Sequence, residues 1–385
     1  MNEKVYIRSA GIVSPLGGAA GGRLRQGAPA PADQRLRAVE PDYARLIDPK
    51  AIRRMSRVIR MGVAAALECL EGAGLWSPGG APPASPAAGG ATASPATGST
   101  TASPAAGGAT ASPATGGATA SPAAGGATAS PATGSTTASP GGGPDAILTG
   151  TAYGCLEDTT VFLRRMVENR EEMLTPTAFI QSTHNTVGAQ IALMLQCHAY
   201  NNTFVHRGFS FEHALLDGMM LLQEGAAKTV LVGGVDEITD TSHSILSRFG
   251  LYRSGRINGE GAVFFLLDRE PGSGICLEGM DTFYRPEDPA EHINAFLKRH
   301  PGDIDMVLGD QVPGEGLSAG TGRAGSTTQQ LPAAEPFRHR CGDYPTASAF
   351  GLWLATEKVK AGAHSVLVYN NYLDIHHSLF LVKKC

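Results

Sequence analysis

Proline recurs every nine residues, at Pro86, Pro95, Pro104, Pro113, Pro122, Pro131 and Pro140, inside near-identical units of glycine, alanine, serine and threonine. The surrounding stretch 77–143 carries no charged side chain, and its only apolar residues are alanine and proline. Such a segment buries too little to offset the entropy lost on ordering. Calcium-binding β-rolls share a nine-residue glycine-rich period, but they need an aspartate ligand and a bulky apolar residue in every unit, and both are missing. The stretch is expected to be a disordered, solvated tether set into a surface loop, where added length costs little stability.

Any packed fold must then come from 1–76 joined to 144–385. All 31 basic and 35 acidic side chains fall in these two pieces, with 42% apolar content over the whole chain, which suits a soluble protein with a sizeable core. The net charge of −4 and the lack of a long lysine or arginine run exclude an electrostatic footprint for nucleic acid or an anionic membrane. No apolar run reaches the roughly 18 residues of a membrane span, and 1–10 lacks a signal-peptide layout, so a cytoplasmic location is expected. The six cysteines show no C-x-x-C pair and no histidine at metal spacing. They read as small buried hydrophobes, with no disulfide framework, metal or cofactor expected.

Strands and helices alternate along the two pieces. Strand-like runs at 4–8 and 12–13 flank a turn. Apolar residues at Val58, Met61, Ala64, Ala65, Leu67 and Leu70 predict a helix over 51–74, stopped by Gly72 and Gly74. A short buried strand at 146–148 enters a glycine-rich turn at 150–154, and helices follow at 156–168 and 186–197. Next comes a β-α-β unit: strand 202–205, apolar helix 211–225, strand 229–232. Strands are also expected at 262–267, 306–308, 365–369 and 378–382, the last two pairing, with helices at 292–300 and 347–359. This alternation predicts an α/β fold with helices layered on sheets.

The order of the motifs resembles the β-ketoacyl synthase family, the condensing enzymes of the thiolase fold. Ala10-Gly11-Ile12-Val13-Ser14-Pro15-Leu16-Gly17 is similar to the family's opening strand and turn, and Arg53-Arg54-Met55 to the start of its first helical segment. Gly150, Thr151 and Gly154 fit its Gly-Thr-x-x-Gly turn. The run 202–237 resembles its nucleophile unit without a gap: strand, elbow, a helix with His213-Ala214, Gly225, then 230–234 and an acid. Gly259-Glu260-Gly261-Ala262 is a further signature; the chain departs in lacking a piece after Gly18 and in a shortened stretch before Gly259. The resemblance implies a thiolase-like layered α-β-α-β-α fold of two related halves. The first half would be 1–76 with 144–270 and the second 271–385, with 77–143 as the insert.

In the family a cysteine at the head of the buried helix accepts the acyl chain, because free N–H groups and the helix dipole favour a thiolate. The gapless match puts Gly208 there, and glycine has no nucleophile. Two family histidines donate hydrogen bonds to the malonyl thioester oxygen; their positions here fall on Asp310 and Asp343. An ionised carboxylate accepts hydrogen bonds and opposes the developing enolate. The family's Gly-Phe-Gly-Gly loop is also missing, with Tyr372-Leu373-Asp374-Ile375 in its place. Four losses together imply an abandoned active site, that is, a non-catalytic chain-length-factor-like subunit. Its expected partners are an active 3-oxoacyl carrier-protein synthase and an acyl carrier protein in fatty acid, polyketide or aryl-polyene-type biosynthesis. The resemblance places the acyl-tunnel or elbow lining at Gly208, Phe209 and Phe211, and the dimer contact at Asn202, Thr203, Phe204 and Val205.

Two other readings stay open. One is an active synthase or acyltransferase with a relocated nucleophile, Cys155 or Ser210; the other is a homodimeric binding or scaffold protein. Ser210 reads better as a cap on backbone groups, because Glu212 stands where a Gly-x-Ser-x-Gly elbow needs glycine. His206 and Arg207 suit either a phosphopantetheine or acidic-carrier contact or, in the reading favoured here, a polar strand end at an interface. His376 and His377 are adjacent strand residues, so they point to opposite faces and do not easily share one ion.

Overall fold

A computed structural model of the chain describes residues 4–18, 33–78, 143–252, 255–313 and 331–385. The tether expected at 77–143 lies almost wholly outside the described residues.

Among the described residues, ten of the strands repeat one five-strand topology twice. The first set is β1 (Val5–Ser14), β2 (Ala146–Gly150), β3 (Tyr200–Phe204), β4 (Thr229–Asp236) and β5 (Gly261–Asp268). The second is β6 (Ile275–Tyr284), β7 (Met306–Leu308), β8 (Ala334–Glu335), β9 (Ser365–Tyr372) and β10 (His376–Lys384). Their order in the sheet is β8-β7-β9-β10-β6-β1-β5-β4-β2-β3. In each set the second strand lies parallel between the third and the fourth, and the fifth returns antiparallel beside the fourth and the first. The sets meet where Val5 and Tyr6 pair with Leu277 and Cys276.

Helices complete five layers. The central layer is α4 (Ser210–Gln223) and α7 (Ala347–Lys360), which share one apolar cluster with both half-sheets. Helix α7 is buried on nearly every face, as a helix between two sheets must be. Outside the first half-sheet lie α1 (Arg57–Gly72) and α3 (Thr186–Leu195), within a second cluster. Outside the second lies α6 (Pro289–Arg299), where Ile293, Phe296 and Leu297 meet Leu367, Leu379 and Leu381. Helices α2 (Leu156–Glu168) and α5 (Asp240–Arg248) carry no buried residue.

The expected turn between 4–8 and 12–13 is instead one continuous strand. A Cβ at Gly11 would lie 2.1 Å from the Ala65 carbonyl oxygen and 2.5 Å from the Cys69 nitrogen, so glycine there admits α1 against β1. The helix expected over 51–74 is interrupted: Asp48 caps a four-residue turn, and α1 begins after Ser56, whose ψ of 172° is extended. Strand β6 escaped the sequence reading because Gly279 and the charges of Glu278 and Asp281 break its alternation. The cysteine expectation also needs correction. Cys276 and Cys385 form a disulfide, because β10 runs antiparallel to β6 and brings the two sulfurs together at the end of the ladder. The other four cysteines are buried, as expected.

Two buried acids tie together segments far apart in sequence. Glu260, wholly buried, accepts from both terminal guanidinium nitrogens of Arg57 at 2.6 and 2.7 Å and from the backbone of Ala38 and Ile238, both at 2.8 Å. Asp236 accepts from Thr151 Oγ1, Ala152 N and Thr346 Oγ1, fastening the 150–154 turn to the start of α7.

Candidate functional site: an occupied elbow

Beyond β3 and Val205 the chain enters His206-Arg207-Gly208-Phe209, where a single 3₁₀ turn, Arg207–Phe209, leads into α4. Arg207 sits at φ 47°, an uncommon value for a residue other than glycine. Gly208 is buried, and a Cβ on it would lie 2.7 Å from Tyr372 Cδ1 and 2.9 Å from His376 Cγ. The hairpin between β9 and β10 supplies both rings, turning through Leu373 (φ 60°) and Asp374 (φ 56°) so that Tyr372 pairs with His376. The space above the elbow is thus filled by side chains. A neighbouring void of about 10 Å³, bordered by Tyr153, Tyr252, Tyr344 and Tyr372, holds one water at most.

The two aspartates are brought together by an arginine that sequence reasoning missed. Arg338, on the short helix Arg338–Cys341, pairs through Nη1 with Asp343 Oδ1. Its Nη2 donates to Asn370 Oδ1 at 2.6 Å and to the Asn371 carbonyl at 2.9 Å, and its backbone N–H donates to Asp310 Oδ2 at 3.3 Å. Arg256 extends the network, donating to Asp343 Oδ2 at 3.2 Å and to Asp374 Oδ2 at 2.7 Å. Asp343 is placed by Gly342, at φ 80°, which passes so close to Gly259 that neither tolerates a side chain. An open cleft of about 260 Å³ lies over Arg256, Asp310, Arg338, Asp343 and Asp374. Both terminal nitrogens of the Arg338 fork thus have acceptors, and the Asp343 carboxylate faces two guanidinium groups.

A polar seam continues inward. Asn370 donates to Ser378 Oγ at 3.2 Å, and Ser378 donates to Glu212 Oε1 at 2.7 Å, on the first turn of α4. Burial pushes the Glu212 carboxyl up to about 7, against the opposing pull of the hydrogen bond from Ser378. Burial likewise raises Asp236 to about 6 and Glu237 to about 7. These native values exceed the roughly 4 of unfolded carboxyls. Between about pH 4 and 7 the native state therefore holds protons that the unfolded state has released, and stability falls as pH rises through that window. Thermal melts are expected to give a lower midpoint at pH 8 than at pH 5.5 from these groups, with a shallower slope in Glu212→Gln. An unchanged slope in that variant would count against a protonated Glu212.

The other singled-out residues fall as follows. Phe209 meets His376 edge-on at 4.8 Å, and Phe211 is fully buried near Phe265 and Phe380. Ser210 Oγ accepts from His206 N at 2.9 Å and donates to the Arg207 carbonyl at 2.8 Å, so it serves backbone groups of the turn before α4. Cys155 is buried, and burial, with Asp158 and Glu237 adding, pushes its thiol up, away from nucleophilic thiolate. Cys341 lies beside the arginine network, equally buried and with its thiol also pushed up by burial. His206 and Arg207 are exposed, and His206 stacks on His213 at 4.6 Å. His376 and His377 do face apart: the first meets Phe209, and the second accepts or donates at Tyr369 Oη over 2.8 Å and stacks on Phe283.

Asn202, Thr203 and Phe204 lie on β3, the outermost strand of its half-sheet, and Val205 follows. Exposed apolar residues flank this edge: Tyr200 and Val205 on the chain of the strand, Leu216 and Met220 one turn apart on α4, and Leu193 on α3.

Comparison with known proteins matches this architecture. Residues 151–248 match the family model for the beta-ketoacyl synthase N-terminal domain. The chain has the thiolase-like fold of the ketosynthases, with two topologically related halves. The ishigamide ketosynthase/chain length factor superposes with a TM-score of 0.62 at 15% identity, over 99% of each chain. A type II polyketide synthase acyl-carrier protein in complex with its ketosynthase bound to the hexaketide gives 0.64 at 12% identity, and a beta-ketoacyl synthase from Burkholderia phymatum STM815 gives 0.62 at 12%, both over 100% of each chain. No curated protein matches the sequence. Among the described residues no helix is long and apolar enough to cross a membrane.

Proposed function

We propose that the chain is a non-catalytic, chain-length-factor-type subunit that pairs with an active 3-oxoacyl carrier-protein synthase and shapes the acyl chain built on a carrier protein. The observation that carries this reading is the elbow. Gly208 offers no nucleophile, Tyr372 and His376 cover it, and the positions aligned with two histidines are carboxylates engaged by Arg338. An acyl thioester has neither an attacking group nor a donor pair for its oxygen there. The same reading keeps the halves at 1–76 with 144–270 and at 271–385, leaves 77–143 as an inserted tether, and makes the chain cytoplasmic.

The pairing surface in this reading is β3. An edge strand leaves a row of backbone N–H and C=O groups open, and antiparallel addition of a partner strand would satisfy them while covering the flanking apolar side chains. The ketosynthase/chain length factor neighbour supports a synthase as that partner. Co-expression with a synthase from the same gene neighbourhood is expected to give one two-chain species by size exclusion. The double variant Leu216→Asp/Met220→Asp should elute alone while melting normally. Self-association of the wild type with no synthase co-eluting would favour a homodimeric scaffold instead.

A further inference from the structure

The disulfide at the end of the second half-sheet brings together more than two sulfurs. Cys276 and Glu278 lie on β6, and Cys385 follows β10, whose pairing with β6 continues through Lys384 opposite Ile275. The Cys385 N–H donates to the Gly274 carbonyl at 2.8 Å, which fixes the chain beside Cys276. The register skips at Glu278, between the Leu381–Gly279 and Val382–Leu277 pairs. Such a bulge re-aims a side chain. As a result the two Sγ atoms and a Glu278 carboxylate oxygen all lie within 4.8 Å of one another.

We propose that, once reduced, Cys276, Glu278 and Cys385 form a binding site for a borderline-soft divalent cation of the zinc kind. A dithiol reductant opens the disulfide, giving two electrons and two protons and becoming a disulfide itself, and leaves two thiols. The cation then displaces the two thiol protons and is held by two thiolates and one carboxylate oxygen, with water at the fourth tetrahedral position. Two thiolates select such a cation over magnesium or calcium, which prefer all-oxygen sets. The surroundings are compatible: Lys4 Nζ lies 3.8 Å from Cys385 Sγ and Lys383 Nζ 4.0 Å from Glu278 Oε1, so two ammonium groups face three anionic donors and net negative charge remains for a cation. The same three residues are closed to metal while the sulfurs are joined, which makes occupancy depend on redox state.

The test uses the full chain, reduced with a phosphine and freed of metal, then titrated with Co²⁺ and with Zn²⁺. One equivalent of Co²⁺ should produce a near-ultraviolet thiolate charge-transfer band that Zn²⁺ abolishes. Oxidised protein should give no band. Cys385→Ser, at an exposed position, should lose the band while keeping its melting temperature, and Glu278→Gln should bind at least ~10-fold more weakly. A reduced wild type whose spectrum and affinity equal those of Cys385→Ser would overturn the proposal, as would an unchanged affinity in Glu278→Gln.

Discussion

Arg338→Met is expected to destabilise the chain by about 3–5 kcal/mol, because it strips the principal counter-charge from Asp343 and the guanidinium charge 3.9 Å from Asp310, leaving both carboxylates in place and only the backbone N–H bond to Asp310 intact. The Arg338 and Asp343 side chains are 13% and 9% exposed, so solvent screens this pair little. A double variant, Arg338→Met with Asp343→Asn, removes charge from both sides and should recover much of the loss, since an absent pair costs far less than a broken one. Urea unfolding of the three proteins measures both effects. A loss below about 1 kcal/mol in the single variant, the range of exposed pairs, would mean that the network is ornamental to the fold.

Restoring the missing nucleophile should fail for a steric reason. Gly208→Cys places its Cβ 2.7 Å from the Tyr372 ring and 2.9 Å from the His376 ring, inside any normal contact. Overpacking of this kind costs about 1–3 kcal/mol. The new thiol would also stand beneath two rings, and in the proposed reading carboxylates stand where hydrogen-bond donors are needed, so no acyl-enzyme and no condensation product should form. Tyr372→Ala in the same chain removes the nearer clash, at the cost of a cavity, and should still give no condensation. Turnover in Gly208→Cys, measured as carbon dioxide released from malonyl carrier protein, would show that an alignment with one substitution, and not a dismantled site, describes this elbow.

The architecture was largely legible in the sequence because its carriers are local. The 202–237 run holds a strand, an elbow, an apolar helix and a second strand in one short stretch, and each signal is read from neighbours in the chain. Gly11, Gly150 and Gly259 stand where helix or loop backbone approaches within reach of a Cβ, so they hold their places in the motif for a physical reason. What stayed hidden depends on residues far apart in sequence. Arg338 lies 28 residues from Asp310 and only five from Asp343, yet its role arises from Asn370 and Asn371 as well, and no spacing rule links those. Tyr372 and His376 cover Gly208 only because the β9–β10 hairpin folds back over the elbow, and the Cys276–Cys385 contact follows from strand register, which pairs residues 109 apart. Strand β6 was missed for the related reason that its bulge at Glu278 spoils the alternation by which strands are recognised.

The acyl-transfer capacity of the purified chain is the quantity on which the non-catalytic reading turns. Incubation with acyl and malonyl carrier proteins, followed by intact-mass measurement, should return the unmodified mass, both for the chain alone and for the chain separated from a synthase partner after turnover. A stoichiometric acyl adduct on this chain, mapped to Cys155, Ser210 or any other side chain, would contradict it.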